Sequence, residues 1–313
     1  MRKALLICCL TCLFLFIYIA KPSQIKHPIH INDTFSYSCT IPIKRSSTGI
    51  PCVDILIEDK HYSVEFDLGF KGAISVADKL IEQISSKRLI GSETRTNIIG
   101  KTYPINLYSL PKISLGKMTF SQLVMQQDTA EQLQDVYFSD ESDKPDSDEN
   151  QGKLGWEIFS QSTLLIDIKN LSIVISDSLD TMKRQGLSLE EFVKVPFFTK
   201  RGLIEVDAKI FHDSLLCVLD TGSTWNIINS EIDDGKSINQ ALLDPTNITK
   251  HSIFKIGKCN FGPVSFRHIP IKTPFKIEAI LGVEFFENHV VILDFANGFV
   301  YFTDAPKKIE PLK

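Results

Sequence analysis

The chain lacks an excess of charge of either sign: 34 Lys and Arg stand against 38 Asp and Glu, for a net charge of −4. A balance this close to zero excludes the basic surface that nucleic-acid binding needs, and it gives an anionic membrane surface no hold. There is no Gly-rich phosphate loop, no His-Glu-x-x-His zinc helix and no Gly-x-Ser-x-Gly elbow, so nothing points to nucleotide, zinc-peptidase or serine-hydrolase chemistry. Metal ligands are scarce as well. His27 and His30 have no third ligand close in sequence, and the acidic stretch Asp140–Glu149 lacks calcium-loop spacing. The expectation is therefore a chain with no cofactor and no metal. Of 7 cysteines, Cys8, Cys9 and Cys12 fall in the N-terminal apolar run. The remaining Cys39, Cys52, Cys217 and Cys259 allow three disulfide connectivities. Pairing within each half joins Cys39 to Cys52 and Cys217 to Cys259; reduced core cysteines are the alternative for the second pair.

What is present is the composition of a folded protein, 43% apolar and 23% charged, in 313 residues, long enough for two ordinary domains. Arg2 and Lys3 precede an uncharged apolar run from Ala4 to Ala20, closed by Lys21 and Pro22. This pattern reads as a secretory signal or a membrane anchor with a cytoplasmic N-terminus. Tyr18-Ile19-Ala20 is a poor cleavage site, so removal and retention both stay open. Either way the expected location is extracytoplasmic: secreted, periplasmic, or held at a membrane through residues 4–20. Residues 21–50, polar and Pro-containing, read as a tether.

The remainder is organised around Leu215-Leu216-Cys217-Val218-Leu219-Asp220-Thr221-Gly222-Ser223, an apolar run that delivers a carboxylate into a turn. A charge does not belong inside a buried strand, so Asp220 must sit where the strand ends. Gly222 permits a tight turn there, while Thr221, Ser223 and the backbone supply donors. A second copy lies 153 positions earlier, where Val64-Glu65-Phe66-Asp67-Leu68-Gly69 places Asp67 opposite Asp220. The same landmarks follow each copy. Ile113-Ser114-Leu115-Gly116 answers to Phe254-Lys255-Ile256-Gly257, and Lys153-Leu154-Gly155-Trp156 to Ile280-Leu281-Gly282-Val283. Leu165-Ile166-Asp167 through Asn170 answers to Ile292-Leu293-Asp294 through Asn297.

This doubled arrangement resembles the pepsin-like and retropepsin-like aspartic peptidases, in which each lobe carries an Asp-Thr-Gly or Asp-Ser-Gly turn, a flap hairpin and a hydrophobic-hydrophobic-Gly strand. The resemblance covers roughly residues 50–304. It implies an all-β, bilobal pepsin-like aspartic protease fold, with two pseudo-equivalent β-barrel-like lobes, 51–180 and 181–313, around a cleft. It also implies a catalytic pair, Asp67 and Asp220, supported by Gly69, Thr221, Gly222 and Ser223, that shares one proton and activates water. Two carboxylates facing each other at close range cannot both ionise easily, and the aspartic-protease dyad is itself the reference example of that effect. A hairpin over residues 94–110 is the candidate flap, with Gly100 near its tip and Tyr103 as the residue available to cover a ligand.

The first copy departs from the family pattern. Leu68 stands where a hydroxyl normally bonds across to the opposite turn, Phe70 answers to Ser223, and Lys153 replaces the first apolar residue of its strand. Three readings follow. The leading one is a monomeric aspartic endopeptidase acting on peptide or protein substrates. The second is a weak or inactive pseudoprotease that serves as an exported peptide-binding protein. The third is a structural exported domain. Retention of both carboxylates favours the first. Ser188-Leu189-Glu190-Glu191 predicts a capped helix between the lobes.

Overall fold

The structure, a computed structural model, describes residues 30–31, 37–97, 100–128, 151–199, 201–230 and 244–303. The N-terminal apolar run 1–20, the acidic loop 129–150 and flap residues 98–99 lie outside the described residues. Within them the chain is mostly strand, divided among three sheets.

The first lobe opens with the hairpin Pro51–Ile57 and Lys60–Asp67. Its second strand alternates: Tyr62, Val64 and Phe66 are buried in the core while their neighbours are less enclosed, the period of two expected of a sheet facing one core. The turn between the strands places Glu58 and Asp59 at φ 49° and 65°. Glu58 accepts hydrogen bonds from Ser85 N, Ser85 Oγ and Ser86 N, which hold its carboxyl down at about 2. Strands Ile74–Ala77, Arg88–Thr96, Thr102–Leu115, Met118–Asp128, Gly152–Gly155 and, at one edge, His30–Ile31 complete the main path of this sheet, and a short helix, Asp78–Ile81, follows the first of them. The second lobe repeats the plan. Glu205–Ile210 pairs with Asp213–Leu219, and Ala279–Leu281 runs parallel beside the latter, as Gly152–Gly155 runs parallel beside Lys60–Asp67. The internal repeat is therefore a structural one.

Its last element closes the molecule. Thr163–Asp167 and Val291–Asp294, corresponding strands of the two halves, pair antiparallel at the middle of a six-stranded sheet. Each ends in the same turn: Asp167 accepts from Asn170 N and Nδ2, and Asp294 from Asn297 N and Nδ2. One apolar core runs from the first lobe through this sheet into the second, so the two lobes are fused rather than hinged on a linker.

Three expectations are corrected. The segment read as a tether contributes the strand Ser38–Pro42 to the six-stranded sheet, pairing with Ser172–Ser176. No helix starts at Ser188; its hydroxyl accepts from Glu190 N, two residues on, which makes a local turn and not a cap. The helix lies earlier, at Leu179–Arg184, and Ser178 caps it by accepting from Thr181 N at 3.2 Å. None of the four described cysteines forms a disulfide. Cys39 sits on the six-stranded sheet and Cys52 on the first-lobe sheet, while Cys217 is fully buried mid-strand and Cys259 lies in a short strand at the end of its sheet. Among the described residues no helix is long and apolar enough to cross a membrane.

Because Ser178 satisfies an otherwise orphaned helix donor, Ser178→Ala is expected to lower the unfolding free energy by about 1 kcal/mol. Urea unfolding measures this, and Ser178→Asp, which keeps the acceptor, should lose less.

Candidate functional site

Asp67 closes strand Lys60–Asp67, and Asp220 follows strand Asp213–Leu219. Both carboxylates line one cleft of about 450 Å³ between the lobes. Each packs against the glycine of the opposite turn: a methyl added at Gly69 would collide with the Asp220 carboxylate, and one at Gly222 with that of Asp67. The glycines are thus required by close approach. Gly222 N also donates to Asp220 Oδ1 at 2.8 Å.

Thr221 joins the two turns. It is fully buried, donates to Phe66 O at 2.6 Å and accepts from Leu68 N at 3.0 Å. Leu68 returns no such bond; its side chain is fully buried in the apolar core. Ser223, expected to support the pair, instead donates its hydroxyl to Trp225 O at 2.8 Å.

The candidate flap is the hairpin of Arg88–Thr96 and Thr102–Leu115. Gly100, at φ 84°, lies so close to Lys272 of the other lobe that a methyl there would meet the Lys272 carbonyl. Tyr103 lines the cleft, is buried, and its hydroxyl accepts from Asn97 Nδ2 at 3.2 Å.

The main feature missed from sequence is what Lys153 does. Its ammonium lies 3.3 Å from Asp67 Oδ2. Its backbone N–H donates to Ser75 Oγ, which in turn donates to the buried Asp128. Four carboxyls thus interact with one cation. Burial, followed by the charge of Asp67 and a carboxyl–carboxyl hydrogen bond, pushes Asp220 up to about 8, against the opposing pull of Lys153. Burial raises Glu65 to about 7 and raises Asp128 too, again opposed by Lys153. Burial and the neighbouring Asp67 carboxyl thus favour the protonated form of Asp220. The comparison of the two halves carried the signal for this arrangement, since Lys153 answers to Ile280. For Asp128 and the cleft-lining Arg201 there was none.

No family model matches the chain, and no curated protein matches it. Solved structures do. Basic 7S globulin from soybean is similar over 87% of this chain and 95% of its own, with 14% identity and a TM-score of 0.52. Conglutin gamma, a basic 7S globulin from lupine seeds, is similar over 86% of this chain and 95% of its own, with 11% identity and a TM-score of 0.53. The chain therefore has the all-β, bilobal pepsin-like fold.

The expectation of an active aspartic endopeptidase is corrected by the same findings. Both similar structures are named as globulins and neither as a peptidase. The site gives a physical reason. The Lys153 ammonium lies 3.3 Å from one oxygen of Asp67 and competes there with the water that a general base would have to hold.

Proposed function

We propose that the chain is a pepsin-like pseudoprotease: an exported protein that binds peptides in the cleft between its lobes without turning them over. The observation that carries this reading is the Lys153–Asp67 ion pair, which sits in the cleft and sets a cation against one oxygen of the carboxylate that would have to act as base. The cleft otherwise keeps what binding needs. Its flap contacts the opposite lobe at Lys272, and Leu203, Phe275 and Ile277 give it an apolar wall. Asp67 Oδ1 is buried and has no hydrogen-bond partner among the described residues. A peptide N–H would satisfy it, removing a penalty of about 1–3 kcal/mol. Export rests on the basic-then-apolar pattern of residues 2–21.

The test is incubation of the purified protein with a random peptide library from about pH 3 to pH 8. Retained peptides should be recovered intact at every pH, and removing the flap tip should abolish retention. Cleavage that disappears in Asp220→Asn would overturn the non-catalytic reading. A protein that retains no peptide at all would leave the purely structural reading in its place.

A further inference from the structure

The cleft of this weakly acidic chain carries basic side chains from both lobes at one position along its length. Lys71, Arg95 and Arg201 all line it together with Asp67 and Asp220. Lys71 belongs to the first lobe, but its stem lies over Gly202 of the second: a Cβ at Gly202 would fall 2.6 Å from Lys71 Cδ. Gly202 O in turn accepts from the Trp156 indole of the first lobe at 3.0 Å. Arg95 reaches back from the flap hairpin and donates from Nη2 to Lys71 O at 3.1 Å. Arg201 donates to Lys276 O at 2.7 Å and lies over the Phe275 ring, 5.2 Å from its centroid. The three cations are thus fixed to one another through backbone contacts.

One of the three charges is not cancelled. Glu93 pairs with Arg95 and Glu205 with Arg201, but Lys71 has no ion pair or side-chain hydrogen bond among the described residues, and its side chain is exposed. Arg95 Nε is buried and without a hydrogen-bond partner there. Deeper in, Lys153 pairs with Asp67, and burial beside Asp67 favours the protonated form of Asp220. Lys71 therefore presents an unpaired positive charge to the cleft beside an apolar wall, and charge complementarity selects its occupant.

Resting on the peptide-binding reading above, we propose that the cleft selects peptides bearing an acidic side chain, which pairs with Lys71 and is flanked by Arg95 and Arg201. The apolar residue next to it lies against Phe275 and Leu203. Lys71 is then a specificity-determining residue and not a structural one, since its ammonium makes no ion pair or hydrogen bond among the described residues.

Fluorescence anisotropy on the full chain tests this with three labelled peptide pools, identical except for one fixed position occupied by Glu, Gln or Lys. The Glu pool should bind on the order of tenfold more tightly than the Gln pool at low salt, and the Lys pool more weakly than either. The preference should shrink at high ionic strength. Lys71→Glu, a change at an exposed side chain, should reverse the order of the Glu and Lys pools. If the pools bind equally, or if Lys71→Glu leaves the order unchanged, the acidic preference is overturned while peptide binding stands. If no pool binds, both readings fall together.

Discussion

Thr221→Val should lower the unfolding free energy by about 2–4 kcal/mol, a large loss for a near-isosteric change. The hydroxyl is fully buried and serves both lobes at once, as donor to Phe66 O and acceptor from Leu68 N. Valine fills the same space, so no cavity forms, but it strands one backbone carbonyl and one backbone N–H in the interior. Each stranded group costs about 1–3 kcal/mol. Urea unfolding with an unchanged m-value would assign the loss to the native state. Thr221→Ser keeps the hydroxyl and should retain most of the stability. A valine variant as stable as the native protein would show that the bridge between the turns is dispensable. No mirror-image experiment exists on the other turn. Leu68 is fully buried in the core, so Leu68→Thr would exchange apolar contacts for a hydroxyl opposite a turn already held by Thr221.

The doubled carboxylate turn was legible because a strand-terminating aspartate followed by glycine has few structural solutions, and because its downstream landmarks recur in order. The parallel pairing of Gly152–Gly155 and Ala279–Leu281 beside the two turns follows from the same repeat. What could not be read was whatever depends on partners distant in sequence. The Ser38–Pro42 strand looks polar and irregular because, of its five residues, only Ile41 is buried. The motif at Ser188 satisfies a capping pattern, yet Gly186 at φ 108° has already ended the helix before it. The cysteines of each half sit at suitable sequence spacing but on strands that do not bring them together. At the cleft, Lys153 was visible as a departure, but no local pattern states that an ammonium on one strand will meet an aspartate on the next. That meeting is the observation on which the proposed non-catalytic reading rests.

The ion pair also makes a strong prediction about pH. Asp220, Glu65 and Asp128 all have carboxyls raised above their ordinary values, the first two to about 8 and about 7. Between about pH 4 and these values the folded state binds more protons than the unfolded chain, so each group makes stability fall as pH rises. Lys153 opposes all three shifts and pairs directly with Asp67. Replacing it by leucine, close in character to its counterpart Ile280, leaves Asp67 without a counter-ion and pushes the other carboxyls higher still. Below about pH 4 the raised carboxyls are protonated in both states, so Lys153→Leu should then cost little. At pH 8 the buried charges are uncompensated, and the loss should approach the roughly 3–5 kcal/mol typical of breaking a buried ion pair, reduced somewhat because the Lys153 side chain is 22% exposed. Unfolding by urea at about pH 4.5 and about pH 8 separates the cases: the penalty should be several-fold larger at the higher pH. An equal penalty at both would mean that Lys153 acts through packing alone. Adding Asp220→Asn to Lys153→Leu should recover part of the stability at the higher pH and almost none at the lower, because it removes one of the carboxyls that must otherwise ionise beside Asp67.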